Sequence, residues 1–231
     1  MKIYDYSLSS KALKYLVSST YNNLSLLRTI HNFFLLNYFN INSGKSIDLG
    51  SGNSESSTFL DELIKKKFDS IQIIEKVDLY KSNSNYKIID LEKKLNLKDN
   101  SYNNVILFNV LEHIQNYQSL LSEITRILQK KGRLEIFVPF MLRYHKDPLD
   151  IFRPTHYYIN ELLKKDYEVD VTLIGAGPFL VIAEILTKYA KVKFLKILLV
   201  LIMIILNKIA KRFSKDFDNY YLGIHCSCIK K

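Results

Sequence analysis

The chain has 231 residues, 48% of them hydrophobic and 24% charged, enough for one α/β domain with a full core and too few for two large ones. Its formal net charge of +10 raises the expectation of an anionic partner: nucleic acid, anionic lipid or an acidic glycan. The two cysteines, Cys226 and Cys228 in C-S-C, have no second Cys or His pair at zinc spacing, so they read as small strand residues in a reducing compartment, and no metal site is expected.

In chain order, the opening M-K-I-Y-D-Y-S-L-S-S lacks an apolar signal core and a cleavage site, which sets the expectation of a cytoplasmic protein. Residues 9–39 carry Leu13, Leu16, Val17, Leu24, Leu27, Ile30, Phe34 and Leu35 at helical spacing, broken by a turn at Thr20 and Asn22–Asn23. Residues 46–49 are a buried-strand candidate, followed by a helix from about Thr58. Further strands are predicted over 71–77, 86–89, 104–110, 133–138, 168–174 and 220–229, with helices over 117–129 and 160–165. Strands alternating with helices predict a Rossmann-like, mostly parallel sheet covered on both faces. Ligands on such sheets bind at the carboxyl ends of the strands.

The first strand runs into S-I-D-L-G-S-G-N-S-E-S-S, residues 46–57. Gly50 and Gly52 permit a sharp turn and a close backbone approach to a ligand, with Ser51 between them and a helix N-terminus beyond. A dinucleotide fingerprint requires a third glycine where Glu55 stands. A carboxylate at that place disfavours the pyrophosphate of NAD or FAD and suits a zwitterionic or cationic ligand such as S-adenosylmethionine. Three acids fall at successive strand ends: Asp48 beside the turn, Asp78 in K-V-D-L-Y and Asp90 in I-I-D-L-E. A carboxylate at Asp78 can accept both hydroxyls of a ribose, and one at Asp90 can accept from an adenine amino group. Taken singly, each acid is also an ordinary cap or turn residue.

The series D-L-G-S-G-N-S (48–54), V-D-L-Y (77–80), I-D-L-E (89–92), V-L-E-H-I (110–114), L-S-E-I-T-R-I-L-Q-K-K-G (121–132) and V-P-F (138–140) resembles class I S-adenosylmethionine-dependent methyltransferases, most closely a bacterial subgroup with an L-E-H motif after the fourth strand. The resemblance spans about 46–165. It implies a seven-stranded sheet with an antiparallel last strand. It also implies a cofactor lying over Gly50, Ser51 and Gly52, with Asp78 and Leu79 at the ribose, Asp90 and Leu91 near adenine, and Asn109 and Glu112 shaping the pocket. Ser54 and Asn103 depart from the glycine and aspartate usual in that family.

The loop block Y-H-K-D-P-L-D-I-F-R-P-T-H-Y-Y, residues 144–158, contains H-x-D-P-x-D-x-x-R-x-T. This pattern resembles a block in a branch of these enzymes connected with glycan or lipid-linked sugar pathways, where it faces the substrate. A plain alternative is a salt-bridged loop in which Arg153 pairs with Asp150 or Asp147 and Thr155 caps the next helix. Methyl transfer needs chiefly alignment of nucleophile and methyl group, and a hydroxyl acceptor gains from a base. His145 is the first candidate, because imidazole titrates near neutrality. Asp147 would orient it or replace it, and His113 is the next choice.

Residues 188–215 hold eight Lys or Arg and no acid, around the ten-residue apolar run I-L-L-V-L-I-M-I-I-L. A spanning helix needs about 20 apolar residues, so two readings remain: a core helix, or an in-plane helix with lysines against anionic headgroups. Nucleic acid is disfavoured, because the charge borders aliphatic rather than stacking aromatic residues. The organisation expected is a single methyltransferase domain over 1–231: N-terminal helices over 1–44, a cofactor-binding core over 45–175, an apolar basic helical insertion over 176–215 and the last strand over 216–231. The expected activity is O-methylation of a saccharide or lipid-linked acceptor on the inner face of the membrane. A non-catalytic membrane-peripheral binding protein with the same fold is the competing expectation.

Overall fold

The structure is a computed structural model and describes residues 1–6, 8–51, 55–67, 74–78, 86–145 and 149–231. Its strands are β1 (Lys2–Ile3), β2 (Ser46–Leu49), β3 (Ile74–Asp78), β4 (Tyr86–Ile88), β5 (Tyr102–Phe108), β6 (Leu128–Pro139), β7 (Tyr167–Ile174) and β8 (Gly223–Lys230). Its helices are α1 (Ser10–Tyr21), α2 (Leu26–Tyr38), α3 (Glu55–Lys67), α4 (Tyr117–Ile127), α5 (His156–Leu163), α6 (Pro178–Leu186) and α7 (Lys193–Phe213). The strands form one eight-stranded, mostly parallel sheet in the order β1-β7-β8-β6-β5-β2-β3-β4. The resemblance implies seven strands; the eighth is β1, a pair of residues too short for any periodicity to announce.

Two compact units are distinguishable. The larger comprises Asn40–Val138, His145–Val171 and His225–Lys231. Within it β2 is central, paired in parallel with β3 (Ser46 opposite Ile74, Leu49 opposite Val77) and with β5 (Ser46 opposite Asn104, Asp48 opposite Ile106). All four β2 residues are buried, as expected of a parallel strand covered on both faces. Helix α4 buries Leu120, Leu121, Ile124 and Ile127, one apolar stripe at helical spacing. It ends two residues earlier than its periodicity suggests. Leu128 already pairs with Tyr102 in the sheet, and Lys131, at φ 61°, turns the chain into the rest of β6 past a register shift.

Asn103, where the resembling family has aspartate, ties loops at the amino end of β5. Its Oδ1 accepts the Lys45 amide at 2.9 Å and its Nδ2 donates to Gln129 Oε1 at 2.9 Å. An aspartate could make the first bond but not the second. The carboxylate of Glu75, on β3, receives Lys45 and Lys87, each at 2.7 Å, and the Tyr102 hydroxyl at 2.7 Å. Under β6 and β8, buried Glu135 accepts from Ser227 Oγ at 2.7 Å and meets His225 Nε2 at 2.8 Å. Cys226 and Cys228 are free and buried, and burial pushes both thiols up, which is the inert state expected of strand cysteines.

The smaller unit comprises Met1–Phe39, Pro139–Tyr144 and Thr172–Ile224. Ser9 and Ser25 cap α1 and α2 through their side chains. β1 lies parallel to Thr172 and Leu173, and just after it Tyr4 meets Phe34 and Tyr38 edge to face while those two stack on each other. The buried Glu184 carboxylate of α6 accepts the Leu27 amide in the first turn of α2 at 3.0 Å, a favourable place for negative charge. Buried Asn207 of α7 donates to the Ala176 carbonyl at 2.8 Å and accepts the Phe179 amide at 3.2 Å. Among the described residues no helix is long and apolar enough to cross a membrane.

Candidate functional site

The site lies in the larger unit, where β2 and β5 end. Leu49 closes β2, and Gly50 turns the chain at φ 74°. A Cβ at this glycine would stand 2.4 Å from Val110 Cγ2, so close packing against the segment after β5 demands glycine as firmly as the dihedral does. The Gly50 and Ser51 amides both donate to the Val77 carbonyl, at 2.8 and 3.0 Å. Those two N–H groups therefore brace the turn against β3. Gly52, Leu79 and Asp147 lie outside the described residues.

Asp48 is buried within β2. Asp78 ends β3 opposite Ile88. Asp90 follows β4, half-buried; its Oδ1 accepts the Glu92 amide at 3.0 Å and its Oδ2 pairs with Lys93 at 3.1 Å. Those hydrogen bonds from Lys93 and the Glu92 amide hold its carboxyl below the usual range. Leu91 beside it is buried. Glu92 itself receives the Gln115 and Asn116 amides at 2.6 and 3.1 Å. It thereby ties the strand-end segment to the start of α4, a link that nothing local in the sequence signals.

After β5, Asn109 stands exposed at φ 54°, its amide held by the Phe137 carbonyl at 2.9 Å. A single 3-10 turn, Leu111–His113, follows. Glu112 is 1% exposed, and among the described residues neither carboxylate oxygen meets a hydrogen-bond donor. Burial pushes its carboxyl up to about 8, against smaller opposing pulls from its own amide and from Arg153. Its main-chain carbonyl accepts the Ile151 and Phe152 amides at 2.9 and 3.2 Å, which pins the following loop to this turn.

That loop brings His145 to His113, ring centroids 4.9 Å apart and edge to face. The His113 Nδ1 lies 2.6 Å from the Leu149 carbonyl oxygen. A carbonyl only accepts, so Nδ1 carries a proton, and in the neutral ring the lone pair is on Nε2. The Asp150 side chain is shielded from solvent and joined by both oxygens to the Arg153 guanidinium, with Nε donating to Oδ1 at 2.7 Å. That contact holds its carboxyl below the usual range despite burial. The plain reading of this loop thus holds for Arg153 with Asp150, and for Thr155, whose hydroxyl caps α5 by accepting the Tyr158 amide at 3.2 Å. Because of that cap α5 begins at His156, earlier than the 160–165 predicted, and His156, Tyr157 and Tyr158 are helical. His145 Nε2 is 3.8 Å from Asp150 Oδ2. Histidines proposed as alternatives to each other are therefore neighbours, positioned by a buried carboxylate, a carbonyl and an arginine pair.

Residues 47–136, from β2 into β6, match the methyltransferase domain family. A stretch of 79 residues is 40% identical to an uncharacterized protein of Methanocaldococcus jannaschii and spans 33% of this chain and 32% of that protein. The match thus covers about a third of that relative's length. Among solved structures, an S-adenosylmethionine-dependent methyltransferase of Archaeoglobus fulgidus superposes with a TM-score of 0.60 at 16% identity, over 94% of this chain and 99% of that one. The Haemonchus contortus phosphoethanolamine N-methyltransferase 2 in complex with S-adenosyl-L-methionine gives 0.54 at 15% identity, over 87% and 52%. At such identities the likeness is one of fold, and the fold is the Rossmann-like one of these methyltransferases.

Proposed function

We propose that the chain uses S-adenosylmethionine to methylate an oxygen of a saccharide or lipid-linked acceptor. The observation that carries this reading is the Gly50 turn locked against Val110, at the end of β2 and inside the segment that matches the methyltransferase domain family. Buried Asp48, with Asp78 and Asp90 at the two following strand ends, fits a donor carrying positive charge better than a pyrophosphate. Bound there, the donor supplies a methyl group already activated by a sulfonium. The protein's part is to hold the acceptor in line and to take or shed its proton. The meeting of His113 with His145, ring centroids 4.9 Å apart, a few residues after Val110, supports these histidines as the groups that handle the acceptor's proton.

The acceptor's proposed lipid linkage is supported by α7. Leu195, Leu198, Ile202, Ile205 and Ile209 follow one another at three- and four-residue steps along the helix, and all are exposed. A helix facing water normally shows its polar side there. Lys193, Lys196, Lys208, Lys211 and Arg212 lie along the same helix, with Lys211 also paired to Asp5 at 3.1 Å and Lys193 donating to the Tyr21 carbonyl at 2.8 Å. An anionic membrane surface is the partner that satisfies both features.

Titration calorimetry with S-adenosylmethionine tests the reading, followed by transfer of labelled methyl into lipid and glycan fractions. Binding in the micromolar range with label in a saccharide-bearing fraction is expected; absence of binding overturns it.

A further inference from the structure

We infer that Glu112, His113 and His145 form a binding site for a divalent transition-metal ion. Their potential ligand atoms, a carboxylate oxygen and two imidazole nitrogens, all lie within 4.8 Å of one another. His113 Nε2 is 3.8 Å from Glu112 Oε1. Ligands each about 2.1 Å from an ion stand about 3.4 Å apart at a tetrahedral angle, so small side-chain rotations close the set.

Two independent features point to a cation. The first is Glu112, 1% exposed, with neither oxygen meeting a donor among the described residues. A buried acid without a partner is costly in either protonation state, as an uncompensated charge or as an unsatisfied polar group, and the Arg153 guanidinium is committed to Asp150 through two nitrogens. The second is the anchoring of His113. Its Nδ1–H donates to the Leu149 carbonyl at 2.6 Å, the arrangement by which metal-binding histidines fix their tautomer and aim the other nitrogen. Two imidazoles and one carboxylate suit zinc, manganese or iron better than magnesium or calcium. Three protein ligands leave positions for water or a substrate oxygen, the pattern of ions that act on substrates rather than brace folds. The sequence hides the set, because Glu112 and His113 are adjacent while His145 arrives from a loop beyond β6.

The test uses the full chain, stripped with a chelator and free of S-adenosylmethionine, so that it reads the ion independently of the proposed cofactor. Titrated Zn²⁺ is expected to bind one ion per chain. Glu112→Gln, His113→Ala and His145→Ala should each weaken that binding by roughly tenfold or more, with thermal melts in chelator showing that each variant folds. Should a variant fail to fold, the absorption spectrum of the Co²⁺-loaded native chain decides: nitrogen- and oxygen-ligated bands of low symmetry support the site. No uptake, undiminished binding in the folded Glu112→Gln and His113→Ala variants, or a thiolate charge-transfer band placing the ion on Cys226 and Cys228 would overturn it.

Discussion

At the scale of single residues, Gly50 is a position closed to side chains. A side chain there must adopt φ 74° and displace Val110, whose Cγ2 lies 2.4 Å from the new Cβ. Gly50→Ala should cost about 2–4 kcal/mol in a denaturant titration and weaken S-adenosylmethionine binding. Val110→Ala made together with it should recover about 1 kcal/mol, because the two share one contact. Glu75 supplies the pH dependence. Burial raises its carboxyl, but hydrogen bonds from Lys45, Lys87 and Tyr102 outweigh that and hold it at about 2. Its stabilisation is complete above the unfolded value near 4.5 and is lost as pH falls from there towards 2. Its partners are partly exposed, so the contribution is about 1–2 kcal/mol after screening. Glu75→Gln should lower stability by that amount at pH 6, and the gap to the native chain should narrow through this acid window. The turn at Gly50 was legible in the sequence, as were Asp48, Asp78 and Asp90 in or near the ends of their strands. The Val77 carbonyl that takes two amides was not, since it depends on which strands pair.

Among the elements, legibility followed burial pattern. Helix α4 buries one stripe and could be read from its spacing, while the start of β6 was masked because Leu128 also continues that stripe. α5 was displaced because its first turn lies inside a loop motif, and only the Thr155 cap reveals the helix. α7 gives the opposite lesson. Its apolar run was conspicuous, yet composition could not say which side faces the fold. The structure buries Val200, Ile204 and Asn207 and leaves the Leu195–Ile209 stripe outside. Replacing Leu198, Ile202 and Ile205 together by glutamine should leave the melting temperature within a few degrees. The same change should sharply reduce flotation with vesicles rich in anionic lipid. Equal flotation would remove α7 from the membrane surface.

For the whole molecule, charge and site can be taken together. Of the formal +10, residues 188–215 alone supply eight cations without an acid, so vesicle binding should weaken as salt shortens the Debye length from about 10 Å at 0.1 M to about 3 Å at 1 M. Sequence reading reached a mostly parallel sheet with alternating helices and the place of the glycine turn, because both are written in local patterns, but not the eight-strand count. It could not bring His113 to His145, because their meeting depends on a loop pinned by the carbonyl of Glu112.

The paired amides at Gly50 and Ser51, both donated to Val77, carry a consequence for solution work. In hydrogen–deuterium exchange their protons should be released slowly, by opening of the turn from β3, and a ligand can protect them only by making that opening rarer. Protection gained directly on ligand contact should instead begin at the next amide along the chain, which would locate the methyl donor without a crystal.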